Sequence, residues 1–309
     1  MHSHSDHSHH HHHHIPENDD KGTSLRLWIS IVLNLIITIA EVIGGIVANS
    51  LALLSDALHN LSDTTSLGIS LIARKISRKD ADKSRTFGYK RAEIIGAFIN
   101  LLTLVIIALF LIKEGVERFV DPREIQGSVM LIVAVIGLLG NVGTAWVLMG
   151  RFKSSINLKS VFIHIVSDAL SSVGVIIGGW LILQYGVYWV DSLLTLIIGA
   201  YILAHSYGML RTTIDILMES TPREIDWDKV NALMEEADGV QGVHHLHIWR
   251  LDEQNICLEA HVVINKRDLE ALESIKTQLK EKLNQRFNIN HTTLEFEFEP
   301  CEESNLLAH

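Results

Sequence analysis

Long apolar runs fill most of the chain between Ser24 and residue 210, and short polar segments separate them. A membrane-spanning helix needs about 20 predominantly apolar residues. Six runs reach that length, and they cover Leu27–Val47, Ser50–Ala73, Ala92–Ile112, Ser128–Gly150, Val161–Gln184 and Tyr188–Met209. Only a few residues join the first run to the second and the fifth to the sixth, which predicts two tight hairpins. The pattern predicts an α-helical membrane domain with six transmembrane helices over residues 24–210.

The pattern changes to that of a small soluble domain over residues 211–309. Amphipathic spacing predicts helices, and β-branched or alternating stretches predict strands. The predicted elements are, in order, a helix over Glu224–Asp238, a hairpin of strands over Val243–Leu251 and Ile256–Ile264, a helix over Asp268–Arg286 and a strand over His291–Glu299. The order αββαβ predicts an α+β domain, of a ferredoxin-like or metallochaperone-like kind, with two helices on one face of a small sheet.

Charge predicts the orientation and excludes one class of partner. Basic residues cluster after the second and fourth runs, at Arg74, Lys75, Arg78, Lys79, Lys83, Arg85, Lys90, Arg91, Arg151, Lys153 and Lys159. Because cytoplasmic loops are enriched in Lys and Arg, both termini are expected in the cytoplasm, and short loops suit a bacterial inner membrane. A formal net charge of −10 argues against nucleic acid as a partner. Two cysteines, Cys257 and Cys301, cannot form a disulfide framework.

Residues 1–23 are expected to be a disordered, histidine-rich tail. Nine histidines lie among the first eighteen residues, without the basic start and apolar core of a signal peptide. The run His9–His14 is typical of an expression tag, whereas the interspersed His2, His4 and His7 suit a native tail that collects metal ions. The pattern favours neither reading.

Two apolar runs contain the same pair of polar residues. His59 and Asp63 lie in the second run, and His164 and Asp168 lie in the fifth. A spacing of four puts both side chains on one face of a helix. Isolated polar contacts between helices are the simpler reading, but the repeat supplies four nitrogen and oxygen ligands, the number that tetrahedral Zn²⁺ prefers. Imidazole disfavours Mg²⁺ and Ca²⁺, while Cd²⁺, Co²⁺ and Ni²⁺ remain open.

Other polar residues in the runs are predicted to have supporting roles. Asp56 lies three residues before His59, and it is expected to support the ligands or mark an entry path rather than bind as a fifth ligand. Glu41 in the first run is expected to bond to a neighbouring helix or line a water-filled cavity. His205, near the end of the sixth run, is expected at the membrane interface rather than at a metal site.

Several stretches resemble the cation diffusion facilitators, and most closely their zinc, cobalt and cadmium efflux branch. The stretches are SLALLSDALHNLSD at 50–63, FGYKRAEIIGAFIN at 87–100, HIVSDALSSVGVIIGGW at 164–180, VHHLHIW at 243–249 and HTTLEFE at 291–297. The resemblance implies a homodimer of six-span subunits that exchanges cytoplasmic metal for protons. It also implies that His59, Asp63, His164 and Asp168 are the transport ligands, with histidine at the first position as in zinc-preferring members.

The same resemblance implies a second metal site in the cytoplasmic domain. The matching residues for a regulatory zinc site are His244, His261, His291 and Glu297. On residue pattern alone, a solvated acidic face with scattered histidines is the alternative, and the neighbours of His244 at positions 245 and 247 could substitute for it. The loop at 74–91 lacks the histidines with which some relatives bind metal there.

The residues also suggest a mechanism. A metal ion displaces protons from imidazole and carboxylate ligands, so a site that faces each side in turn moves metal and protons in opposite directions. We therefore expect a proton-coupled Zn²⁺ exporter that works by alternating access. A membrane metal sensor, a membrane-embedded zinc enzyme and a passive channel are the alternatives. The chain is not expected to be an enzyme, because all four ligand positions are filled and no HExxH motif is present.

Overall fold

The computed structural model describes residues 21–77, 79–149, 157–252, 254–265 and 269–299. Residues 1–20 of the predicted tail and Cys301 lie outside these ranges. Residues 21–23, which are predicted to belong to the disordered tail, instead form the start of the first helix. The chain divides into two compact units. The first contains Ala97–Leu210 and the chain up to Ile72, and the second contains Ala73–Gly96 and the chain from Arg211.

Six long helices follow one another in the part of the chain that forms the apolar runs. They are α1 (Lys21–Ala48), α2 (Leu51–Ser77), α3 (Ala92–Val120), α4 (Gly127–Met149), α5 (Asn157–Tyr185) and α6 (Trp189–Leu217). By length and hydropathy over the described residues, α3 and α6 each qualify as a membrane span. Shorter apolar stretches lie in the other helices at Val32–Ala48, Gly127–Gly143 and Ala169–Tyr185.

Tight turns join α1 to α2 and α5 to α6, as the short links between the apolar runs predict. Asn49 takes the left-handed conformation with φ of 56°, and Gly186 does so with φ of 67°. Asparagine and glycine tolerate this conformation better than other residues do. Each turn reverses the chain, so the helices of each pair run antiparallel.

Glycines let α4 pack closely against its neighbours. A Cβ atom at Gly140 would lie 2.2 Å from Ile37 Cδ1 of α1, and one at Gly127 would lie 2.8 Å from the backbone nitrogen of Leu183 in α5. A side chain at Gly127 would push the helices apart, whereas one at Gly140 would require Ile37 to move. Small residues at helix interfaces are the usual means of close approach between helices in membranes.

The second unit contains a three-stranded sheet with two helices. Its elements are α7 (Trp227–Glu235), β1 (Val240–Arg250), β2 (Ile256–Ile264), α8 (Leu269–Phe287) and β3 (Ile289–Glu297). The sheet order is β1-β2-β3, with β1 antiparallel and β3 parallel to β2. The parallel pair is possible because α8 returns the chain to the same end of the sheet.

One face of the sheet packs against both helices. Leu246 of β1 and Leu258 of β2 are fully buried with Met234 of α7 and with Leu279 and Leu283 of α8. The opposite face therefore presents the other side chains of the strands, which include the histidines and glutamates. Helix α7 begins later than the sequence suggests, because the Asp226 side chain accepts a hydrogen bond from the Lys229 amide and caps the helix.

The basic loop between α2 and α3 belongs to the second unit and has a defined conformation. Asp82 Oδ1 accepts hydrogen bonds from the amides of Ser84 and Arg85, each at 2.8 Å, and Oδ2 accepts one from the Tyr89 hydroxyl at 3.0 Å. Arg91 forms an ion pair of 2.6 Å with Glu219. The hydrogen bonds from Ser84, Arg85 and Tyr89 lower the pKa of Asp82 to about 2.

Candidate metal sites

Helix α2 uses three polar side chains within five residues to contact three different helices. The first is Asp56, whose carboxylate accepts hydrogen bonds from the hydroxyls of Ser171, at 2.6 Å, and Ser172, at 3.2 Å. Both serines belong to α5, and Asp56 is 2% exposed. A buried carboxylate is costly unless hydrogen-bonded, so these serines fix where α2 meets α5.

The second side chain is Asn60, which bonds α2 to α1. Its Nδ2 donates a 2.8 Å hydrogen bond to Oε2 of Glu41, which is 1% exposed. The other carboxylate oxygen, Oε1, is buried without a hydrogen-bond partner among the described residues. Helix α4 makes room for it with Gly137, because a Cβ atom there would lie 2.2 Å from Oε1.

The third side chain is His59, which faces α6. Its ring lies edge-on to Tyr201, with the ring centres 6.2 Å apart. Tyr201 in turn stacks on His205, one helical turn further along α6, with centres 6.1 Å apart and planes 12° from parallel. The structure thus connects His205 to His59, which the sequence does not indicate, because nothing in a sequence pairs residues that lie 142 positions or more apart.

The first turn of α2 is bound to the first turn of α6. Asp191 is fully buried, and its carboxylate accepts hydrogen bonds from the Ser50 hydroxyl at 2.5 Å and from the amides of Leu51 and Ala52 at 2.8 and 3.3 Å. The Ser50 oxygen also accepts a bond from the Leu53 amide, so Ser50 caps α2. The side chains of the other predicted transport ligands, Asp63, His164 and Asp168, lie outside the described residues.

A second group of ligand-type side chains lies on the outer face of the sheet. His244, His261 and Glu297 place one ligand atom each within 4.8 Å of one another. His261 Nδ1 lies 2.7 Å from Glu297 Oε1, and His244 Nε2 lies 3.1 Å from Glu297 Oε2. The second contact lacks hydrogen-bond geometry, and Oε2 has no hydrogen-bond partner in the described chain. Two imidazoles and a carboxylate, one oxygen of which lacks a hydrogen-bond partner, form a donor set that suits Zn²⁺.

A β-bulge brings a third imidazole to this group. The pairing of β1 with β2 shifts between His244 and His247, and His245 has φ of 50° in the left-handed region. Residues other than glycine uncommonly adopt this left-handed conformation, so the surroundings of His245 must stabilise it. The ring centre of His245 lies 5.2 Å from that of His244 and 4.7 Å from that of His261. Strand alternation alone would put adjacent residues on opposite faces.

The structure separates His291 from these residues. On β3, Glu295 lies opposite His261, whereas His291 lies opposite Cys257. Four residues of a strand span about 13 Å, so His291 cannot reach the group within one subunit. Its ring instead contacts Phe87 of the basic loop, with the ring centres 5.7 Å apart.

Comparison with known proteins identifies the family. The sequence-family model of the cation efflux transmembrane domain matches residues 27–218. The family model of the cation efflux protein cytoplasmic domain matches residues 222–299. A cation efflux system protein, CzcD, of Alcaligenes sp. (strain CT14) is 38% identical over 288 residues, which are 93% of this chain and 91% of that protein.

Two further relatives are named as transporters. A cadmium, cobalt and zinc/H(+)-K(+) antiporter of Bacillus subtilis (strain 168) is 37% identical over 94% of both chains. The zinc transporter ZitB of Pectobacterium atrosepticum is 32% identical over 94% of this chain and 90% of that one. The solved metal-bound C-terminal domain of the CzcD transporter from Cuprividus metallidurans is 32% identical and covers 24% of this chain and all of that chain, with a TM-score of 0.22. The two family models and these near full-length relatives show that the chain belongs to the cation efflux family, the cation diffusion facilitators of zinc, cadmium and cobalt.

Proposed function

We propose that this protein exports Zn²⁺ from the cytoplasm in exchange for protons, and that Cd²⁺, Co²⁺ and Ni²⁺ are further substrates. The family makes it an integral membrane transport protein. The observation that supports the exchange site is the pair of hydrogen bonds from Ser171 and Ser172 to Asp56, because it sets how α2 and α5 are aligned.

The alignment follows from two contacts and one turn. Leu51 meets Asp191, and His59 meets Tyr201, so α2 and α6 run parallel. Helix α5 reverses into α6 at Gly186 and is therefore antiparallel to α2. Counting from Asp56, each step forward along α2 corresponds to a step back along α5.

This alignment brings the two ligand pairs to the same depth. Three residues beyond Asp56 is His59, and three to four residues before Ser171 and Ser172 is Asp168. Seven residues in the same directions reach Asp63 and His164. The backbone positions therefore pair a histidine with an aspartate at two levels about 6 Å apart, which supports a four-ligand site between the two helices.

The chemistry of the four side chains suits a transported ion. Two carboxylates balance the charge of Zn²⁺, and two imidazoles favour it over Mg²⁺ and Ca²⁺. Asp56 and Glu41 act outside this set: Asp56 sets the alignment, and Glu41 orients α2 through Asn60. Because metal and protons compete for the same atoms, alternating access to the two sides of the membrane couples their movements in opposite directions.

The proposal includes the arrangement of the chain. Helices α1 to α6 are the six spans of residues 24–210, both termini are cytoplasmic, and residues 211–309 form the domain through which two subunits assemble as a homodimer. In that domain, His244, His261 and Glu297 bind a regulatory zinc ion, with His245 as a further ligand. His291 takes part only if it comes from the second subunit, since its own strand holds it about 13 Å away.

Zinc flux in sealed proteoliposomes that enclose a fluorescent pH reporter tests the proposal. The full-length protein is expected to move Zn²⁺ with a proportional proton counterflow, and Asp168→Ala is expected to move neither. Thr103→Ala is the matched control, because its hydroxyl lies on the exposed side of α3 and bonds only within its helix in the described contacts. Normal transport by Asp168→Ala would refute the four-ligand site, and zinc flux without proton movement would refute the coupling.

A further inference from the structure

The rings of His59, Tyr201 and His205 form a column that leads away from the proposed transport site. Tyr201 meets His59 edge to face, and His205 stacks on Tyr201 from the next turn of α6. Both α6 residues are on the exposed surface of the first unit, where Tyr201 is 48% exposed. The column therefore joins a ligand-type imidazole at the surface to one at the site.

The parallel course of α2 and α6 gives His205 its depth. His59 lies level with Tyr201, and one helical turn further on lie Asp63 in α2 and His205 in α6. Helix α5 brings His164 to that same level, by the alignment with Asp56. His205 is thus an imidazole at the depth of the Asp63 end of the site, on the side of α2 that faces α6.

His205 lies in the second half of an apolar helix. His205 lies 16 residues into α6, or about 24 Å along a helix from Trp189, within a helix that is long and apolar enough to span the membrane. Ionisable side chains at such depth commonly mark substrate and ion paths.

The described ring contacts connect His205 to His59 through Tyr201, whose ring centre lies about 6 Å from that of each histidine. Zinc to nitrogen distances are about 2.0–2.1 Å, so two imidazoles on one ion would have to lie against each other. His205 therefore suits a separate binding position, which the ion occupies before it reaches His59. In the orientation proposed above, the C-terminal direction of α2 and α6 is the cytoplasmic one.

We propose that His205 is a staging ligand for the transported divalent cation: its imidazole binds the ion on the cytoplasmic side, one helical turn before the ion reaches His59. Tyr201 keeps the two positions apart and orients both rings. This inference rests on the proposed function, because it assigns the first step on the path into that same site.

Initial rates of Zn²⁺ transport against Zn²⁺ concentration in proteoliposomes test the inference. His205→Ala is expected to raise the half-saturating Zn²⁺ concentration about tenfold, the lower end of the loss of metal affinity that changes to the surroundings of metal ligands typically cause, with little change in the maximal rate. Thr103→Ala, whose exposed hydroxyl bonds only within its own helix in the described contacts, is the matched control with unchanged kinetics. An unchanged half-saturating concentration in His205→Ala, or a loss confined to the maximal rate, would overturn the staging role.

A conservative replacement separates metal binding from packing. His205→Cys supplies a softer ligand, so it is expected to restore a low half-saturating concentration for Cd²⁺ more than for Zn²⁺. If His205→Cys behaves like His205→Ala with both ions, the imidazole has a packing role and the inference fails. His59→Ala in the same membranes tests the proposed function: transport at the normal rate by that variant would refute the exchange site itself.

Discussion

The bond between the first turns of α2 and α6 allows a quantitative prediction. Ser50→Ala removes one hydroxyl that makes two buried hydrogen bonds, one donated to Asp191 and one accepted from the Leu53 amide. Ser50 and Asp191 are both fully buried. Water therefore cannot replace the lost partners without entering the helix bundle.

The expected cost follows from the two bonds. A hydrogen bond to a charged group contributes about 1.5–3 kcal/mol, and loss of a serine N-cap costs about 0.5–2 kcal/mol. One hydroxyl makes both bonds, so the two values overlap. We expect Ser50→Ala to lower the free energy of unfolding by about 2–4 kcal/mol. Asp191→Asn is also expected to lower the free energy of unfolding. Its amide nitrogen would face a hydrogen-bond donor, either the Leu51 amide or the Ser50 hydroxyl and Ala52 amide, in place of an accepting oxygen.

Unfolding in mixed detergent and dodecyl sulfate micelles, followed by tryptophan fluorescence, measures these free energies. The two changes remove the same interaction, so the double variant is expected to lose less than the sum of the single losses by about 0.5–3 kcal/mol. Thr103→Ala, which removes an exposed hydroxyl of α3, is the control and is expected to stay within about 0.5 kcal/mol of the unmodified protein. A loss of about 0.5 kcal/mol or less in Ser50→Ala would refute the reasoning. A loss in the double variant equal to the sum of the two single losses would also refute it.

Three further predictions concern other parts of the molecule. Gly137→Ala is expected to destabilise by about 1–3 kcal/mol in the same unfolding assay through overpacking, while Gly143→Ala, with no described atom within 4 Å of the new Cβ, is expected to cost little. The pKa of Asp82 is lowered to about 2 from 3.8, so its carboxylate holds the basic loop above pH 3.8 and releases it as the pH falls through about 2; Asp82→Asn is expected to speed hydrogen exchange of the Ser84 amide already at neutral pH, and unchanged exchange would contradict this. His261→Ala is expected to bind one zinc ion fewer per chain, as measured by native mass spectrometry. An unaltered number of bound zinc ions would refute the proposed site at His244, His261 and Glu297.

The local elements could be predicted because they depend on residues close together in the chain. Apolar runs of sufficient length indicate the helices, and the short links between the runs indicate the turns. The richness of β2 in β-branched and apolar residues indicates a strand, whose predicted ends agree with the observed Ile256–Ile264. The ends of β1 and β3 differ from the predictions by up to three residues, because pairing with β2 and the bulge, rather than residue type, decide where each strand begins.

The metal-binding residue types were also visible in the sequence, but their partners were not. Ser171 and Ser172 follow Asp168 at helical spacing, so a contact with them could have been suspected, yet only the packing of α2 on α5 assigns them to Asp56. In the sheet, His245 was one of two interchangeable candidates until the bulge turned its ring towards His261. Alternation puts His291 and Glu297 on the same face of β3. The strand register places them at different points along the sheet, opposite Cys257 and Val263.

The sequence by itself indicated membrane helices and a small α+β domain, because hydropathy and helical period are properties of neighbouring residues, and its motifs resemble those of the cation diffusion facilitators. The tertiary structure alone decided which helices meet at α2, which histidine joins Glu297 and where His205 lies. These depend on relations between distant residues, such as the depth at which Asp191 holds Ser50 or the backbone conformation of His245. Such relations come from packing energies summed over many contacts, and no local pattern encodes them.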